Sequence, residues 1–103
     1  MGEFEIRLTG PTLKLLKLML EEPAKKRSGA EISREAKIGS GTLYPLLVRL
    51  ERVGWLLSEW EQIDPKEAGR PRKRFYRLTA NGYNKAREAL AAFQMEGTPA
   101  WNM

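Results

Sequence analysis

The chain has 103 residues, enough for one domain, with 30% charged and 42% hydrophobic residues as in ordinary globular proteins. It contains neither cysteine nor histidine, which excludes disulfides and thiol chemistry and removes the usual zinc ligands and the commonest general base. The net charge is +5, and residues 70–77 carry five of the 18 basic residues and no acid, leaving 13 basic against 13 acidic elsewhere. The positive excess is therefore one focused patch.

No apolar run approaches the roughly 20 residues needed to span a bilayer. Residues 1–5 lack the basic start of a signal peptide. A cytoplasmic protein with no membrane, metal or cofactor partner is expected. The acids Glu31, Glu35, Glu51, Glu59, Glu61 and Asp64 form no evident catalytic pair, so an enzyme is not expected.

The first helix is "GPTLKLLKLMLEE". Pro11 suits its first turn, where a missing N–H is no loss, and Pro23 ends it. Leu13, Leu16 and Leu20 form one apolar stripe; Leu15, Leu18 and Met19 form a second. The basic linker Lys25-Lys26-Arg27 follows. Ser28 and Glu31 then match a capping box opening a short helix over about 29–37, with Ile32 and Ala36 inward. After the turn Ile38-Gly39-Ser40, a third helix, capped by Ser40, runs to about Val53 and stops at Gly54. A short helix, a glycine-containing turn and a longer helix make a helix-turn-helix.

The third helix has a core face of Leu43, Leu46, Leu47 and Leu50. At about 100° per residue, Gly41, Pro45, Val48 and Arg52 lie opposite, flanked by Tyr44 and Arg49, with Thr42 at the border. This outward set lacks the Glu/Lys dressing of an idle solvent face. Small side chains, a phenol and two guanidiniums suit a helix entering the major groove. Pro45 forfeits only the bond to the Gly41 carbonyl, in the first turn.

Residues 55–61 read as a strand, 62–69 as a polar turn, and 72–78 as a returning strand, with Arg74, Tyr76 and Leu78 on one face and Phe75 and Arg77 on the other. This hairpin is a wing. Its cations Arg70, Arg72, Lys73 and Arg74, together with Lys25, Lys26, Arg27 and Lys37, are candidate phosphate contacts. Thr79 caps a fourth helix, on which Tyr83, Ala86, Leu90 and Phe93 form a heptad-like seam. That seam and the Leu15, Leu18, Met19 stripe are expected to pack against their copies in a two-fold dimer.

The expected fold is mainly α with a small β-hairpin (α+β): a winged helix-turn-helix over residues 1–78, a C-terminal dimerisation helix over 79–96 and a frayed tail over 97–103. Two functions fit. One is a sequence-specific DNA-binding regulator. The other is a winged-helix interaction module whose basic wing engages an acidic protein.

The runs "GTLYPLLVRLERVGWL" and "GRPRKRFYRLTANG" resemble the PadR family of transcriptional regulators across residues 13–93. The resemblance rests on Gly41-Thr42-Leu43-Tyr44-Pro45, the Leu50-Glu51-x-x-Gly54 helix end and the Tyr76-Arg77-Leu78-Thr79-x-x-Gly82 hairpin exit. It implies a winged-helix homodimer that represses transcription from a roughly palindromic double-stranded DNA operator. In this resemblance Thr42, Tyr44 and Pro45 fall on the recognition helix, and Arg70, Arg72 and Lys73 on the wing. The chain departs from the family in lacking an aromatic residue just before the second helix, and it resembles the short subfamily. A small-molecule effector between subunits is implied for some members, with Phe93 and Trp101 as candidates to line its site.

Overall fold

The structure, a computed structural model, describes residues 6–95. The first helix, α1 (Gly10–Glu21), is capped by Thr9, whose hydroxyl accepts from the Thr12 N–H, and carries Pro11 in its first turn. A two-residue strand, β1 (Arg27–Ser28), leads into α2 (Gly29–Ala36). Both halves of the capping box form: the Glu31 N–H donates to Ser28 Oγ at 3.1 Å, and the Ser28 N–H donates to Glu31 Oε1 at 2.9 Å. Lys37 ends α2 in the left-handed region, and Ser33 Oγ donates to the Ile38 carbonyl, closing the turn into α3 (Ser40–Arg52). Gly39, not Ser40, occupies the cap of α3, and no side chain caps it.

Gly54, at φ 82°, turns the chain out of α3 into β2 (Leu56–Trp60). A β-carbon is disfavoured at that angle. The wing loop contains one helical turn, α4 (Pro65–Ala68), capped by Asp64. It was expected only as a polar turn. The chain returns as β3 (Arg74–Leu78). Thr79 then caps α5 (Ala80–Met95) as expected: its hydroxyl accepts from the Gly82 N–H at 2.9 Å and donates to the Gly54 carbonyl.

The hairpin is one part of a three-stranded antiparallel sheet, ordered β1-β3-β2. Leu56 pairs with Leu78, Ser58 with Tyr76 and Trp60 with Arg74, while β1 adds Arg27 opposite Tyr76. The main core joins α1, α2, α3 and the sheet through Leu15, Met19, Ile32, Ile38, Leu43, Leu46, Leu47, Leu50, Leu56, Tyr76 and Leu78. Each fully buried leucine contributes about 2 kcal/mol, so the four on α3 anchor that helix firmly. A smaller cluster of Leu16, Ala86 and Ala89 seats α5 on α1.

This packing corrects the expected dimer surface. Leu15, Met19 and Ala86 are completely or almost completely buried within their own chain. Most of both stripes of α1 is covered within the chain, by the main core on one side and by α5 on the other, with Leu18 and Leu20 only partly buried. Leu18 and Tyr83 are partly buried against the main core, and Leu90 and Phe93 are also half-buried. Trp101, the 97–103 tail, Glu96 and residues 1–5 lie outside the described residues. No helix among the described residues is long and apolar enough to cross a membrane.

Candidate nucleic-acid interface

The four leucines of α3 point into the core, which turns the rest of the helix outward. Ser40, Gly41, Thr42, Tyr44, Pro45, Val48, Arg49 and Arg52 are all exposed. Val48 is 53% exposed and Tyr44 44%. Pro45 sits inside α3 without ending it. The one bond it forfeits is in the second turn from the start, on the solvent side, where the free Gly41 carbonyl can be hydrated.

Tyr44 is held from behind. A β-carbon built on Gly29 would come within 2.6–2.9 Å of its ring and hydroxyl, so α2 starts on glycine to make room for this phenol. Tyr44 also borders a cleft of about 250 Å³ walled by Ser28, Gly29, Arg72, Lys73, Arg74 and Tyr76. The cleft brings the start of α2, the outward face of α3 and the wing cations together. Gly29 was not among the expected site residues, and only the contact with Tyr44 identifies it.

The wing is less free than its charge suggests. Glu61 accepts from both terminal nitrogens of Arg70, at 2.7 and 2.9 Å, and from the Lys73 N–H at 3.1 Å. The Arg70 guanidinium, aided by Lys73, pulls the Glu61 carboxyl down to about 2. Arg72 donates to the Ile63 carbonyl at 2.9 Å. Lys26 pairs with Glu59 and Lys25 with Glu22. Arg70 therefore first serves the shape of the wing, as does Arg72 through its Nε.

One expected phosphate contact is corrected. Arg27 is not an exposed linker residue: it is 2% exposed, in β1, where pairing with Tyr76 draws it under α2 and its Nε donates to Glu35 at 3.3 Å. Arg74 is occupied within the protein by Ser58, Glu51 and the Trp60 ring. Among the described residues, Lys37, Arg49, Arg52, Arg72 and Lys73 have no carboxylate partner. No group of three or more carboxylates among the described residues could hold a metal ion.

A family model described as the transcriptional regulator PadR-like family matches residues 18–88. The chain is 31% identical to AbfR in its disulfide-formed state, with a TM-score of 0.67 over 95% of this chain and 64% of that one. AbfR has also been solved in the overoxidized state bound to DNA; there the identity is 26% and the TM-score 0.68, over 97% of this chain and 68% of that one. That regulator comes from Staphylococcus epidermidis. A PadR family transcriptional regulator from Eggerthella lenta is 28% identical, with a TM-score of 0.66 over 84% of this chain and 77% of that one. This chain thus spans just under two thirds of the first of these proteins, and lacking cysteine it has no counterpart of the disulfide. No curated protein matches it significantly. The family match runs from α1 through the helix-turn-helix and wing into α5, and the chain belongs to the PadR-like family of transcriptional regulators.

Proposed function

We propose that this protein is a sequence-specific double-stranded DNA-binding repressor that binds a roughly palindromic operator as a homodimer, with α3 in the major groove and the wing beside it. The observation that carries the reading is the outward face of α3: exposed Gly41, Thr42, Tyr44, Pro45 and Val48, edged by the unpaired Arg49 and Arg52. Such a face has little desolvation cost against base edges and offers methyl groups, hydroxyls and guanidiniums for readout. Lys37, Arg72 and Lys73 supply phosphate contacts around it. A relative of 26% identity solved on DNA supports the same assignment.

The dimer forms on the parts of α5 that α1 leaves uncovered, through Leu90 and Phe93, with Leu18 and Tyr83 at the margin. An effector, which the family resemblance allows, would enter the open cleft of about 590 Å³ bordered by Leu20, Asn84, Arg87 and Leu90. An acidic protein partner would draw on the same wing cations, of which Arg70 and Arg74 are paired within the chain with Glu61 and Glu51. Selection of binding sites from random duplexes tests the proposal. It should return one motif with two-fold symmetry and half-sites ~34 Å apart; a pool with no enriched motif overturns it.

A further inference from the structure

The inner face of the wing changes character along its length. Leu56 and Leu78 pair deep in the core, Ser58 and Tyr76 pair at its margin, and Trp60 and Arg74 pair beyond it, with Trp60 54% exposed. Past Phe75, where β1 ends its pairing with β3, the hairpin runs on as two strands only. A two-stranded ribbon alone is marginal in water and free to twist.

Four side chains close that gap. Ser58 Oγ donates to Glu51 Oε2 on the last turn of α3. Arg74 Nε donates to Ser58 Oγ at 3.0 Å, and Arg74 Nη2 lies 3.6 Å from the same Glu51 oxygen. The Arg74 guanidinium lies 5.0 Å from the centre of the Trp60 ring, within cation–π range. One carboxylate oxygen on α3 is thus tied to both strands of the wing.

We propose that Glu51, Ser58, Arg74 and Trp60 form a brace that sets the angle between the recognition helix and the wing, making Glu51 and Arg74 positioning residues for operator specificity. The inference rests on the DNA-binding reading and adds to it a role for an acid on a DNA-facing unit. Charge alone gives the opposite expectation: removing an acid near DNA should strengthen binding. The brace requires Glu51→Ala to weaken it, because the wing no longer meets the duplex at the spacing that α3 dictates.

The test uses the full chain, the selected duplex and a scrambled one, with Glu51→Ala, Arg74→Ala and the double variant. Alanine is the best helix former, so α3 persists in Glu51→Ala, and thermal melts check this. Each single variant should lose about tenfold in affinity for the selected duplex, the double should lose little more, and the salt slope should stay unchanged. Affinity for the scrambled duplex should fall much less. Ser58→Ala, which removes the bridge without altering charge, should show the same loss of specificity.

The brace is overturned if Glu51→Ala binds the selected duplex as well as or better than the unsubstituted protein. It is overturned equally if Arg74→Ala alone weakens both duplexes and lowers the salt slope by about one, the signature of a direct phosphate contact. Failure of the unsubstituted protein to prefer the selected duplex would instead remove the DNA-binding reading itself.

Discussion

Gly82 tests the packing of α5 most sharply. A β-carbon there would lie 1.9 Å from the Trp55 carbonyl oxygen, 2.6 Å from its carbon and 2.8 Å from its α-carbon. All three are backbone atoms, so no rotamer change relieves the clash. The helix would have to retreat by more than about 1 Å. That retreat strains the anchor of α5, where the Thr79 N–H donates to Trp55 O at 3.0 Å and its hydroxyl to Gly54 O. Helix propensity pulls the other way by at most about 1 kcal/mol, the value for a helix interior, since Gly82 lies in the first turn of α5. Overpacking against rigid backbone costs about 3 kcal/mol or more, so Gly82→Ala should be destabilised by about 2 kcal/mol net. For a chain of this size that lowers Tm by about 10 °C, read by circular dichroism. Gly41→Ala is the control, because nothing lies within 4 Å of a β-carbon there, and it should be as stable as the parent or slightly more so. A Gly82→Ala melt at or above the parent's would refute the close approach.

Gly29→Ala should change stability little, because the obstacle is a side chain that can swing away, but it should displace Tyr44 and weaken DNA binding; a Tyr44 NMR shift and an anisotropy titration check both halves. Arg27→Ala should destabilise the fold by about 3 kcal/mol through lost packing and a broken pair with Glu35, while leaving the salt slope of DNA binding unchanged. The Glu61 carboxyl is depressed from 4.5 to about 2 in the folded wing. Its contribution is complete above the unfolded value and is lost as pH falls through the folded one. The wing loop should therefore loosen between about pH 4.5 and 2, seen as exchange broadening at Arg70 and Lys73, and Glu61→Gln should abolish that transition.

Local rules made much of this fold readable. The capping box at Ser28, the cap at Thr79, the left-handed Gly54 and the leucine face of α3 each depend on residues within two helical turns of one another, and each forms. β1 could not be read because a two-residue strand has no period; it exists only because β3 pairs with it. That pairing is also what turns Arg27 from a linker cation into a buried one. The wing charges differ from their expected roles for a related reason. Residues 70–77 hold no acid, but Glu61 lies nine residues before Arg70, across the loop, and Glu51 reaches Arg74 from another element. Counting charge along the chain misses partners that only register supplies. The reading of 62–69 as a polar turn passes over the signals of α4: Asp64, Pro65 and Gly69 are N-cap, first-turn and C-terminal signals in order. The two stripes of α1 are plain in the sequence, but a pattern of leucines does not say whether its cover comes from the same chain or a copy.

The central claim is that the outward face of α3 reads DNA sequence. Fluorescence anisotropy with a labelled duplex bearing the selected motif, against a scrambled duplex over a range of salt, tests it directly. The motif duplex should bind about 10³-fold or more tightly than the scrambled one at physiological salt. Affinity should fall with log salt at a slope on the order of −3 per protomer, from the phosphate contacts of Lys37, Arg72 and Lys73. Equal affinity for the two duplexes at physiological salt would contradict the account.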